Sequence, residues 1–268
     1  MLAGPRRRGG TRREGGDPVG VLGGVYGIWL REFKVFQREK SRVISSIITP
    51  LMWMVIVGAG LGASFPTVPG GPSYQSFIFP GIVMMLALFS SMFFGLYIVW
   101  DRKIDVLKEV LVSPIPRTAI FFGKVLGGCT DVILQVVVFL AIGVFFAPTT
   151  VITVAAALLI ALIIAIGMVS VGLTIGSFFE SLEGFQVIIS FLVFPLFFLS
   201  GALYPLEPLP GWLKTVAYLD PLTYAVDGLR SIQLGLPSAI PLAVDFGVII
   251  GFAIVMVLVG TLAFRRMK

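Results

Sequence analysis

The sequence predicts an all-α integral membrane protein. It has six transmembrane helices, an N-terminal amphipathic interfacial helix, a charged cytosolic helix between spans two and three, and short re-entrant helices on the outer side. Three observations carry this. Hydrophobic residues make up 57% of the 268 and charged residues 13%, far from ordinary globular usage. Six apolar runs, 43–62, 77–100, 119–146, 151–178, 185–203 and 241–264, each come near or exceed the ~20 residues that cross a bilayer core. The longer runs imply tilt. If the six alternate, every one of the twenty Lys and Arg residues except Lys214 and Arg230 falls on one side. That asymmetry puts both termini and the 101–124 connection in the cytoplasm. It also removes nucleic acid as a partner, because the basic residues are topological anchors.

Several chemistries are excluded by what the chain lacks. There is no histidine, so imidazole catalysis and imidazole metal ligation are unavailable. A single cysteine, Cys129, cannot form an internal disulfide. The glycines at Gly58, Gly60 and Gly62 end an apolar run rather than joining a strand to a helix, and Gly123-Lys124 lacks the rest of a phosphate loop. No HExxH, no GxSxG with histidine and no CxxC pair occurs. Gly58/Gly62 and Gly172/Gly176 read instead as small-residue helix packing sites.

Taken in order, residues 1–20 are rich in Gly and Arg and cannot bury a core, so they read as a disordered cytosolic arm. Residues 21–268 form one transmembrane domain. From Val21 to Glu39, Leu22, Tyr26, Trp29, Phe33 and Phe36 make one helical stripe opposed by Arg31, Lys34 and Arg38. An aromatic face in lipid and a basic face toward phosphate headgroups suit an interfacial helix.

The stretch from Asp101 to Lys124 is the long charged segment between two strongly apolar runs. Ile104, Leu107, Val110 and Leu111 recur at helical spacing, with Asp101, Asp105, Lys108 and Glu109 on the remaining face. Ser113-Pro114-Ile115-Pro116 stops that helix, because proline lacks an amide proton and clashes with the preceding turn. An amphipathic cytosolic helix followed by a stiff proline junction suggests a docking element. Its apolar stripe would sit in a partner groove, with Asp101, Arg102, Lys108, Glu109 and Arg117 as polar rim.

Asp131 is the ionisable group that falls inside a span, with Gln135 one turn further along the same face. An intramembrane carboxylate is expensive and so points to function. The alternative is a structural carboxylate near the interface, bonded to Gln135, Cys129 or a neighbouring helix. Glu180 and Glu183, in the connection between spans four and five, are either solvent-facing loop charges or a second cytosolic contact. On the outer side, residues 201–236 are too apolar for a free loop and too interrupted by Pro and Gly for a span. Asp220 followed by Pro221 reads as an N-cap with proline at the first helical position. Asp227 and Arg230 lie three apart on that helix as a possible ion pair.

With this topology the chain resembles the ABC type-2 permease family, the membrane subunits of drug, lipid and polysaccharide exporters. The resemblance covers roughly residues 20–266. It is carried by Asp101-Arg102-Lys103 through Leu107-Lys108-Glu109, by Ser113-Pro114-Ile115-Pro116-Arg117 and by Gly123-Lys124. A second group is Leu199-Ser200-Gly201-Ala202-Leu203-Tyr204-Pro205, Leu209-Pro210-Gly211-Trp212-Leu213 and Asp220-Pro221-Leu222-Thr223-Tyr224. The family often has Asn where this chain has Asp220. The resemblance implies a connecting helix over Val21–Glu39, a coupling helix between spans two and three, and a dimer of permease chains. It also implies a separate cytosolic ATP-binding subunit that uses ATP and magnesium, with no cofactor held by this chain. Export would follow the dimer interface along spans one, two and five, where Met52, Met54, Met84, Phe93, Phe94, Phe191 and Phe194 suit a hydrophobic or amphiphilic cargo. Two other functions fit the bare topology: a secondary transporter or channel that needs no ATPase, and a membrane anchor for a cytosolic complex.

Overall fold

The computed structural model describes residues 21–62, 73–105, 115–147, 149–235 and 240–266. Among them the chain is helical: α1 (Val21–Arg38), α2 (Lys40–Gly62), α3 (Tyr74–Phe93), α4 (Leu96–Lys103), α5 (Arg117–Gly143), α6 (Val151–Phe178), α7 (Leu182–Leu199), α8 (Gly211–Ala217), α9 (Pro221–Leu234) and α10 (Leu242–Arg266). Six stretches are long and apolar enough to cross a membrane: Ile44–Gly62, Tyr74–Lys103, Arg117–Gly143, Val151–Phe178, Leu182–Leu199 and Leu242–Arg266. The chain is therefore an all-α membrane protein with six membrane-length helices.

Local chemistry sets the helix starts. The Ser73 hydroxyl accepts the Ser76 amide ahead of α3, and Thr150 forms a reciprocal capping box with Thr153 ahead of α6. Ser181 accepts the Gly184 amide to begin α7. Asp220 accepts the Leu222 amide, and Pro221 supplies the first helical position of α9. That helix ends on Gly235, whose positive φ of 62° is a conformation side chains resist.

Span two is the centre of the bundle. Its apolar window is 72% buried, against 17% for α2 and for α10. It is broken where Gly95 meets α6. A β-carbon there would lie 2.1 Å from the Gly172 carbonyl oxygen, and one on Gly176 would lie 2.5 Å from that of Gly95. Gly172 and Gly176 thus form a close helix contact, as the small-residue pattern predicts. Gly58 and Gly62 face Gln75 and Tyr74 of α3.

The structure differs from the sequence reading where span two ends. Asp101 and Arg102 are not part of a separate cytosolic helix; they belong to α4, contiguous with the span. That helix caps on Ile104, and Asp105 takes the left-handed conformation at φ 60°. Aspartate tolerates this better than most side chains. Leu107, Lys108, Glu109, Leu111 and Pro114 lie outside the described residues.

Candidate functional site at the base of the 101–117 connection

α1 lies close against the first half of α5 because α5 presents Gly123 and Gly127, four apart, to Ile28 and Glu32 of α1. A β-carbon on Gly24 would meet Ile115 at 2.8 Å, one on Gly123 would meet the Ile28 β-carbon at 2.6 Å, and one on Gly127 would meet the Glu32 β-carbon at 2.6 Å. The Trp29 indole adds a hydrogen bond to the Thr130 hydroxyl at 3.0 Å. The face of α1 that packs is therefore Gly24, Ile28 and Glu32. Leu22 and Tyr26, from the aromatic stripe, remain exposed.

This close approach brings four charges together. Lys124, 1% exposed, donates to Glu32 Oε1 and to Asp101 Oδ2, both at 2.8 Å. Arg31 grips the same Asp101 with both terminal guanidinium nitrogens, at 2.5 and 3.1 Å, and reaches Glu32 at 3.2 Å. The Asp101 hydrogen bond raises the Arg31 pKa above its ordinary value despite partial burial. Two cations and two carboxylates sum to zero, which is the condition under which buried charge is tolerated. The Asp101–Lys124 contact closes the base of the intervening connection. The Arg31 and Glu32 contacts tie that base to α1.

Neighbouring contacts fix the same end. Arg102 donates to the carbonyls of Ser177 and Phe179 at 2.7 and 2.8 Å, where α6 runs out of internal partners for its last carbonyls. Arg117, which is exposed, donates to the Arg265 carbonyl at 3.3 Å. Pro116 caps α5 and is exposed, and Ile104 is 49% exposed. Glu180 and Glu183 are both exposed, beside the Arg102 contact.

Further along, Asp131 is enclosed between α3 and α5. Its Oδ1 accepts from the Gln135 amide, whose oxygen in turn accepts from the Ser90 hydroxyl at 2.5 Å. Gln135, one of the expected partners, is thus found in contact with it. Of the expected path residues, Met84 and Phe94 are core, Phe93 is half-buried, and Met52, Phe191 and Phe194 are exposed.

At the opposite end, Arg230 turns inward rather than lying on an outer face. Its guanidinium sits 3.9 Å over the Phe77 ring. It donates to the carbonyls of Phe77, Gly201 and Ala202 at 3.2, 2.8 and 3.3 Å. Burial lowers its pKa to about 10, so it keeps its charge at neutral pH. Asp227 accepts the Ile240 amide at 3.2 Å. Asp220, 4% exposed, has its pKa pushed up to about 7 by burial, partly offset by the Leu222 amide.

Sequence reasoning missed Arg31, Glu32 and Lys124 as one unit. The signal was present in Gly123 and Gly127 on either side of Lys124, matched by Gly24, Ile28 and Glu32 on α1. It lay between α1 and a span rather than between two spans.

Comparison with known proteins identifies the architecture. Residues 24–234 match the family described as ABC-2 type transporter. The inner membrane transport permease YadH of Escherichia coli K12 is 29% identical over 239 residues, covering 87% of this chain and 91% of the relative. A putative transport permease, ycf38, of Porphyra purpurea is 32% identical over 210 residues, covering 75% of this chain and 71% of the relative. Nodulation protein J of Rhizobium leguminosarum bv. viciae is 24% identical over 252 residues, covering 93% and 96%. The match spans α1, the charge cluster and the helices of the opposite end, and the chain belongs to the ABC-2 type transporter family as a membrane permease subunit that works with an ABC ATP-binding subunit.

Proposed function

We propose that this chain, paired with a second permease chain, forms the membrane pathway of an ATP-driven exporter for hydrophobic or amphiphilic molecules. Both termini and the 101–117 connection face the cytoplasm, and the ATP-binding subunit docks on that connection through Leu107 and its neighbours. α8 and α9 act as re-entrant helices on the outer side. The observation that carries the reading is the neutral charge cluster beneath the connection. A push on a loop whose base is pinned by Asp101–Lys124 at 2.8 Å reaches α1, span two and span three together. A loop hinged freely at its base would absorb the same push. The exposed Met52, Phe191 and Phe194 support an apolar route on the faces available to a second chain.

The test is Leu107→Asp. Burying a leucine in a partner groove is worth about 1.5–3 kcal/mol, so a buried carboxylate there should abolish co-purification of the ATP-binding subunit while membrane insertion is unchanged. Cysteines at Gly70 and Ser238 should react with an impermeant thiol reagent from outside, and one at Gly184 should not. If Leu107→Asp keeps both the partner and ATP-dependent efflux, the docking assignment is wrong. Efflux that persists with no ATPase bound would instead favour a secondary transporter.

A further inference from the structure

We propose that the Asp245 carboxyl, between α9 and α10, is a proton-binding site that latches these two helices together. It lies in the first turn of α10, at the end of the bundle away from the 101–117 connection. Its side chain packs against Gly228 of α9, where an added β-carbon would meet Oδ2 at 3.4 Å. The residue is 1% exposed, and neither carboxylate oxygen accepts a hydrogen bond from the described residues. A buried carboxylate without donors loses its hydration with no compensating bond. Taking a proton onto one oxygen, from the water at that end, removes the charge and most of that cost.

The donors on that face of α9 are committed elsewhere. Tyr224, one turn before Gly228, donates its hydroxyl to the Tyr218 carbonyl at 2.8 Å. Ser231, one turn after, donates to the Gly228 carbonyl at 3.0 Å. Arg230 is two positions from Gly228 and so points to a different face. Its guanidinium rests over the Phe77 ring and on backbone carbonyls. Asp227 accepts the Ile240 amide and brings a like charge rather than a counter-ion. α10 also packs on α6 and α5. In sequence, α6 has no ionisable side chain, α5 has none beyond Asp131, and α10 has none between Asp245 and Arg265. Residues 236–239, outside the described set, read Leu-Pro-Ser-Ala and add no ionisable group. Asp220, the N-cap of α9, is a second buried carboxyl with an unpartnered oxygen, its pKa pushed up to about 7 by burial. It acts on the first turn of α9, whereas Asp245 acts on the contact with α10, so the two are separable. Ionisation of Asp245 has a mechanical consequence. Gly228 offers no side chain, so water reaches the charge only where α9 gives way. The helix pair is closed with the proton bound and loosened when it leaves.

The experiment uses the full chain in nanodiscs of zwitterionic lipid, with infrared spectroscopy and amide hydrogen exchange on the same samples. In difference spectra of wild type minus Asp245→Asn, a neutral-acid carbonyl band is expected at about pH 6, replaced by carboxylate bands at about pH 9. Exchange of the 221–234 amides is compared between the two proteins at each pH, so the intrinsic pH dependence cancels. The expected result is equal rates at the lower pH and about tenfold or faster exchange in wild type at the higher one. Asp220→Asn should leave that difference in place. Within wild type alone, exchange of α9 relative to α1 should rise by a similar factor between the two pH values, a readout that needs no variant to fold. Carboxylate bands at both pH values, an α9 to α1 ratio that does not change with pH, or α9 exchange that follows Asp245→Asn throughout each overturns the proposal. So does a pH response that Asp220→Asn abolishes, which would place the proton on the N-cap instead.

Discussion

Removing the Lys124 ammonium while keeping its volume, as in Lys124→Met, is the sharpest perturbation of the charge cluster. The ammonium is 1% exposed and is shared by Glu32 and Asp101 at 2.8 Å. Its loss leaves two carboxylates facing one guanidinium, a net charge of minus one in a buried place. Breaking a buried pair from one side costs about 3–5 kcal/mol, because the remaining charge is uncompensated. Asp101 keeps its two-nitrogen grip from Arg31, so the lower end, about 3 kcal/mol, is expected. For a chain of this size that corresponds to a fall in melting temperature of roughly 6–12 °C. Restoring neutrality with Glu32→Gln should recover part of the loss, giving a double-mutant coupling of about 1–3 kcal/mol. Arg31→Gln should cost less than Lys124→Met, since the Arg31 side chain is 32% exposed and solvent screens it. The assay is thermal unfolding of the purified chain in nanodiscs, with ATP-binding subunit recovery on the same samples. A Lys124→Met protein within about 0.5 kcal/mol of wild type, or a double variant no better than the single, refutes the buried-cluster argument.

Two further outcomes follow from other sites. Gly123→Ala places a β-carbon where Ile28 already lies 2.6 Å away, so α1 must lift from α5 at a cost of about 1–3 kcal/mol; faster proteolysis within α1, compared with wild type, is the readout, and an unchanged rate counts against the packing. Asp220 carries a pKa of about 7 in the folded protein against 3.8 for the free side chain, so the folded state holds a proton that the unfolded state gives up between those values. Stability is therefore greatest below pH 4 for this group, falls as pH rises through 7 and is lowest above it. Asp220→Asn keeps an acceptor for the Leu222 amide and carries no charge, so its melting temperature relative to wild type should rise with pH across that window; parallel profiles would refute the assignment.

The six spans were legible because hydrophobic length is a property of the chain alone. The predicted run at 151–178 coincides with Val151–Phe178, and the run at 43–62 with Ile44–Gly62. The Asp220 cap was legible for a similar reason, since a cap and the proline after it act within one turn. Asp101 and Arg230 were misplaced because their partners lie far away in sequence. Asp101 looked like an exposed rim charge until Lys124 and Arg31 came within reach of it. Arg230 looked like half of a local pair with Asp227, yet backbone carbonyls near Phe77 and Gly201 hold its guanidinium. A charge on an amphipathic stripe carries no mark of which helix will bury it.

The two ends of the bundle are held by different chemistry, and the difference bears on how force would pass between them. At the end with the 101–117 connection, side-chain charges close on one another, and changing partners would expose an unpaired ion. That makes the end stiff, since an intermediate with a broken pair costs several kcal/mol. At the other end Arg230 rests on three carbonyls, and the Tyr74 hydroxyl donates to a fourth, that of Leu203, at 2.9 Å. Carbonyls are plentiful and each has a second lone pair, so the guanidinium can pass from one acceptor to another without leaving a carboxylate unpaired. Between the ends, span two breaks at Gly95, where its backbone packs directly on Gly172 and Gly176 beside the Phe185 ring. A displacement imposed on the stiff end can therefore pass up α4, be accommodated at the Gly95 contact, and be expressed as a change of partners around Arg230. The order of compliance follows from the chemistry: ionic cluster least, glycine contact next, carbonyl-held cap most.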